Sequence, residues 1–116
     1  MTGYHLTTVV ERRENAIWVT IVGELDLATV SQFKAEFPSP QRADIVVIDL
    51  STLEFIDSVG IRALLQLDLT SRADGWALSL VGAHGHVKRV LEICHVQHRV
   101  KMIEDPSGVS GTAIPL

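Results

Sequence analysis

The chain has 116 residues, 47% hydrophobic and 21% charged, the size and composition of one globular domain rather than a disordered segment. Ten basic residues against fourteen acidic ones leave a formal charge of −4, the wrong sign for a protein that neutralises phosphates along nucleic acid. No apolar stretch approaches the ~18 residues of a membrane-spanning helix, and the single cysteine, Cys94, excludes an internal disulfide.

Met1–Val10 lacks the basic-then-apolar layout of a secretion signal, so the expectation is a cytoplasmic domain with no direct membrane contact. Residues Tyr4–Glu11 alternate as a half-buried strand, with Leu6, Thr8 and Val10 on one face. After a charged turn comes Ala16–Val22, where Ile17, Val19 and Ile21 face one way and Ala16, Trp18 and Val22 the other. Apolar on both faces, this run reads as an interior strand, ended by Gly23. Leu27–Phe37 reads as a helix with Asp26 as N-cap and Val30, Phe33 and Phe37 at helical spacing, stopped by Pro38 and Pro40. Ile45–Ile48 is an unbroken β-branched run, as a central strand in a covered sheet requires.

A loop then leads to a long apolar helix from about Ser58 to Arg72, broken at Asp74-Gly75, and Trp76–Val81 reads as the next strand. Within Gly85–His95, Val87, Val90, Leu91 and Cys94 fall on one helical stripe, with Cys94 expected as a small buried hydrophobe. A short strand around Val100–Ile103 closes a single domain spanning 1–105, and the aperiodic segment 106–116 is expected to be a loose tail. The predicted order is β-β-α-β-α-β-α-β, an α/β class with a mixed four- to five-stranded sheet and helices packed on it.

Chemistry concentrates where Asp57-Ser58-Val59-Gly60 opens the long helix. A helix start leaves backbone amides without partners and carries partial positive charge. Asp57 or Ser58 fits an N-cap there. Glycine inside a first turn loses about 1 kcal/mol of helix propensity against alanine. The expectation is that Gly60 leaves the surface around Ser58 open to another protein or a nucleotide. Spacing alone leaves Ser58 either a plain cap or a presented hydroxyl suited to phosphoryl transfer. Ser51-Thr52-Leu53-Glu54 also matches a capping box, but Phe55 and Ile56 do not continue an amphipathic helix, so the stretch reads as loop.

Beyond the cap, Ala63, Leu64 and Leu67 share a face suited to the sheet, while Leu65 and Leu69 fall near Arg62. That trio either docks a partner or lies beneath another helix. The histidines of His84-Gly85-His86 and the Cys94-His95 and His98 cluster do not make a zinc set of three or four converging ligands, and no cofactor fingerprint occurs. No G-x-S-x-G elbow places a base beside Ser58, which speaks against a hydrolase triad.

Three stretches together resemble the STAS domain of the anti-sigma factor antagonist type: Val22-Gly23-Glu24-Leu25-Asp26, Val47-Ile48-Asp49-Leu50-Ser51 and Phe55-Ile56-Asp57-Ser58-Val59-Gly60-Ile61. The likeness runs from the first strand to about Ile103. The third stretch resembles the family signature D-S-[ST]-G plus an apolar residue, with Val59 where a hydroxyl residue is usual. The resemblance implies a non-enzymatic partner switch. Unphosphorylated antagonist binds an anti-sigma factor that is itself a serine kinase and so frees a sigma factor. Phosphorylation of Ser58 ends the complex, and a serine phosphatase resets it. It further implies that the loop holding Glu24 and Asp26 neighbours Ser58; together with the helix face that carries Arg62 and Leu65, the expected partner surface is Glu24, Asp26, Asp57, Ser58, Val59, Gly60, Arg62 and Leu65. Asp26 keeps its alternative as a helix cap. Two other readings stand beside this one: a STAS-type docking subunit of a membrane transport ATPase assembly, without a phosphorylation cycle, and a ligand-sensing module using the strand-end loops.

Overall fold

The computed structural model describes residues 5–104. Strands β1 (Leu6–Arg13) and β2 (Ala16–Leu25) form an antiparallel hairpin, closed by Arg13 opposite Ala16 around Glu14 and Asn15. The ten residues of β2 then serve two further neighbours on the same side. Ile17–Thr20 pair in parallel with β3 (Ile45–Asp49), and Gly23–Leu25 pair in parallel with β4 (Leu53–Ile56). Beyond β3 lie β5 (Ala77–Val81) and β6 (Lys101–Ile103), both parallel, so the sheet runs β1-β2-β3-β5-β6 with β4 also on β2.

The sixth strand, β4, corrects the expectation of a loop at Leu53–Ile56. Only Leu53 and Ile56 of its four residues are buried, and its pairing shifts register between Gly23 and Glu24. It therefore lacks the two-residue alternation by which a strand announces itself.

Among the described residues three helices pack on the sheet, α1 (Val30–Glu36), α2 (Ser58–Asp74) and α3 (Gly85–Ile93), the last followed by a 3-10 turn at Val96–His98. Alternation along the interior strands decides which side chains meet them. Val19 and Ile21 of β2, Ile48 of β3 and Leu80 of β5 join one core with Phe33, Leu64 and Leu91 from the helices. The residues between them, Trp18, Val47 and Val81, form a smaller cluster on the other face with Ala16 and Ile45. Trp18 donates its indole N–H to Asp49 Oδ2 at 3.3 Å, and the Arg13 guanidinium lies 4.0 Å from the ring centre. The doubly apolar pattern of β2 is thus that of an interior strand. Val22 departs from it, 41% exposed, because the pairing of β2 with β3 has ended at Thr20.

Two helix boundaries differ from expectation. The first helix begins at Val30, not Leu27, because the Asp26 carboxylate accepts the amides of Ala28 and Thr29 and holds 26–29 as a turn. The third ends at Ile93, so Cys94 sits past the apolar stripe and is exposed rather than buried. The 106–116 segment, expected as a loose tail, lies outside the described residues.

One buried carboxylate locks α2 to the segment entering β6. The Asp68 side chain, only 6% exposed, meets Arg72 Nε at 3.1 Å and the Arg99 guanidinium at 3.5 Å. At the far side of α3, Lys88 Nζ meets the Glu104 carboxylate at 2.6 Å. That contact holds the lysine's pKa above, and the glutamate's below, their ordinary values.

Candidate functional site

The first turn of α2 is fixed by Asp57. Its backbone is extended, and its Oδ1 accepts the amides of Val59 at 2.9 Å and Gly60 at 3.0 Å, while its carbonyl accepts the first helical bond from Ile61 at 2.9 Å. Its other oxygen, Oδ2, accepts the amide of Leu27 at 3.3 Å, and its own amide donates to the Leu25 carbonyl. One side chain therefore caps the helix and ties it to the loop after β2. The expected neighbourhood of that loop and Ser58 is present, carried by this link and by the pairing of Glu24 with Phe55 and Leu25 with Ile56.

With Asp57 in the capping role, Ser58 is left as the first helical residue. It is exposed, and its hydroxyl makes no hydrogen bond within the described residues. Val59 beside it is half-buried.

Gly60 points the other way from what the sequence led us to expect. It is buried, and a Cβ on it would lie 2.5 Å from the Leu25 carbonyl oxygen and 2.8 Å from Ile56 Cγ1. The missing side chain lets the helix start press onto the end of β2; it opens no surface beside Ser58.

The remaining candidates divide. Glu24 and Asp26 are half-buried at the end of β2, where Asp26 is engaged by its own turn and the Glu24 carbonyl accepts the Thr29 hydroxyl at 2.8 Å. On α2, Arg62 is exposed, Leu65 packs partly against the core, and Leu69 is 56% exposed. Leu65 is thus partly covered by the core, whereas Leu69 stands open to solvent.

Two exposed apolar side chains beside the site escaped the sequence reading. Leu27 is 74% exposed in the loop held by Asp57, and Phe55 of β4 is 38% exposed, its ring stacked on His86 at 5.2 Å between centres. Leu27 reads as the opening of an amphipathic helix, and Phe55 as an ordinary loop residue. No sequence signal separates either from those roles. His84 is held by Ser51, whose carbonyl lies 2.8 Å from its Nε2.

A mixed sheet with its helices gathered on one core, and a capped helix start presenting a serine at the carboxyl ends of β2 and β4, define an α/β domain of known type. The chain belongs to the STAS domain family, whose model matches residues 7–107. Its fold is shared with an anti-sigma factor antagonist from Mycobacterium paratuberculosis at 22% identity, covering 91% of this chain and 92% of that one with a TM-score of 0.71. It is also shared with the anti-sigma factor antagonist SpoIIAA in its unphosphorylated form, at 17% identity, 87% and 91% coverage and a TM-score of 0.63. A sulfate transporter family protein from Wolinella succinogenes also has this fold, at 14% identity, 78% and 77% coverage and a TM-score of 0.67. No helix among the described residues is long and apolar enough to cross a membrane.

Proposed function

We propose that this STAS domain is an anti-sigma factor antagonist that works by partner switching, with Ser58 as the phosphate acceptor. The observation that carries the reading is the exposed Ser58 hydroxyl, unbonded within the described residues, beside a carboxylate that already caps the helix. The fold shared with two anti-sigma factor antagonists supports it. In the unphosphorylated form the surface around Ser58, including Glu24, Asp26, Asp57, Val59, Arg62 and Leu65, binds a kinase-type anti-sigma factor and frees a sigma factor. Buried Gly60 acts by shaping the helix start. Leu27 and Leu69 supply the apolar part of the contact.

The reaction is carried out by the partner. The Ser58 oxygen attacks the terminal phosphorus of ATP bound to the kinase, the bond to the bridging oxygen breaks, and ADP leaves. The hydroxyl proton passes to a base on the kinase. A cytoplasmic serine phosphatase hydrolyses the ester back to serine and inorganic phosphate. The modification adds −1.5 to −2 charges beside Asp57 in a chain already at −4. Two of the helix-start amides are taken by Asp57, so the helix start itself compensates little of the new charge, which changes the surface that the partner meets. Each ~1.4 kcal/mol of repulsion lowers affinity tenfold.

The test uses three proteins: wild type, Ser58→Ala and Ser58→Asp. Ser58→Ala is expected to bind the anti-sigma factor but to take up no phosphate from ATP, and Ser58→Asp to bind at least tenfold more weakly. Wild-type affinity in Ser58→Asp would defeat the charge switch. The likeness to a sulfate transporter family protein favours a second reading, a docking subunit of a membrane transport ATPase assembly without a phosphorylation cycle. It requires no phosphate on Ser58, in cells or with any kinase partner.

A further inference from the structure

Ser58, Arg62, Leu65 and Leu69 follow one another at i, i+4, i+7 and i+11 along the outer side of α2. Ser58 and Arg62 are both exposed. Arg13, Arg72 and Arg99 each have a carboxylate within 4 Å, whereas Arg62, like Arg12, Arg42 and Arg89, has no hydrogen bond, ion pair or ring partner among the described residues, and of these four it alone lies on α2 beside Ser58. The nearest acid in sequence, Asp57, is engaged by three backbone amides. A long cationic side chain thus stands unpaired one turn above the serine.

Residues four apart on a helix have Cβ atoms roughly 5–6 Å apart, and helical side chains lean toward the N-terminus. Arg62 therefore leans toward Ser58. An acidic group four residues before a basic one is also the favoured order on a helix. We propose that Arg62 is the intramolecular receptor for a phosphate on Ser58: its guanidinium fork takes two phosphate oxygens and holds them against the outer face of α2. The assignment rests on Ser58 as the acceptor and goes beyond it by naming what receives the charge. Guanidinium and phosphate match as a planar, bidentate, charge-assisted pair.

The consequence is a switch with two parts. Without phosphate, Arg62 offers a free cation to an incoming acidic partner group. With it, Arg62 is drawn back onto its own helix, and the outer stripe of α2 passes from one positive charge to about half to one negative charge.

The test installs phosphoserine at position 58 during translation of the full chain, with Arg62 or with Arg62→Gln, and compares both with their unphosphorylated counterparts. Phosphorus NMR titration is expected to show the second phosphate pKa about 0.15–0.4 unit higher in Arg62→Gln, because a neighbouring cation favours the dianion. The acidic groups around the site, Asp57, Asp26, Glu24 and Glu54, are the same in both proteins. Thermal unfolding is expected to separate the two phosphorylated proteins and leave the unphosphorylated pair together. Equal phosphate pKa values, or a melting difference equally large without phosphate, would overturn the assignment. Neither measurement involves an anti-sigma factor, so failure of partner switching and failure of the clamp remain separately visible.

Discussion

The Leu27 amide donates to Asp57 Oδ2 across thirty residues of sequence, while the other oxygen of the same carboxylate caps α2. The presented serine and the exposed leucine of the neighbouring loop are thereby held in one arrangement by a single acid. A partner reading this surface meets both together.

That double role separates by mutation. Asp57→Ala is expected to cost about 1 kcal/mol of unfolding free energy, the usual worth of a lost N-cap. Asp57→Ser restores a cap oxygen for the helix amides but is too short to keep the Leu27 bond. It is expected to recover most of the stability in urea denaturation while the Leu27 amide still exchanges faster than in wild type.

Gly60→Ala sets two effects against each other. Helix propensity favours alanine by about 1 kcal/mol, whereas overpacking costs about 1–3 kcal/mol. The added methyl would meet the Leu25 carbonyl at 2.5 Å, and backbone cannot step aside as a flexible side chain can. Sterics therefore wins, and net destabilisation is expected in thermal melts. A stabilised Gly60→Ala would mean that the helix start is looser than described.

Leu27→Asp and Leu69→Asp alter side chains that are mostly in solvent. Both variants are expected to unfold like wild type, within about 0.5 kcal/mol. Leu27→Asp is expected to weaken binding of a kinase-type anti-sigma factor at least tenfold, with a smaller loss from Leu69→Asp, which lies three turns from Ser58. Unchanged calorimetric affinity in both would place the contact on another face.

Asp68→Ala removes the buried acid between Arg72 and Arg99. Both arginines are substantially exposed and regain solvent, so the loss is expected to stay near 1–3 kcal/mol, short of the larger penalty for stranding a buried charge. Denaturant titration measures it, and phosphate uptake at Ser58 is expected to be unchanged.

Much of this architecture is legible from residues alone because burial imposes a period. Ile17-Trp18-Val19 and Ile45–Ile48 are apolar on consecutive positions and rich in β-branched residues, as interior strands are, and both are interior. The helix-start chemistry of Asp57-Ser58 is legible in the same way: Asp57 is the cap and Ser58 is left exposed. Long-range decisions were not legible. β4 exists because the far end of β2 offers it hydrogen bonds, a fact absent from its own four residues. Whether Gly60 faces solvent or Leu25 depends on the rotation of α2 about its axis, which local spacing leaves open. Asp26 illustrates competition among like chemistries: an acid before an apolar stretch can cap a helix or close a turn, and here the amides of Ala28 and Thr29 claim it first.

The hairpin that opens the chain has a practical corollary. From Ala16 to Leu25 the polypeptide advances without reversal, about 30 Å at the usual rise of a strand. Asn15 therefore occupies one pole of the molecule and the serine the other. A dye, a tether or a fused module attached at that tip leaves the opposite pole clear, so surface immobilisation through position 15 presents every copy with its Ser58 end outward.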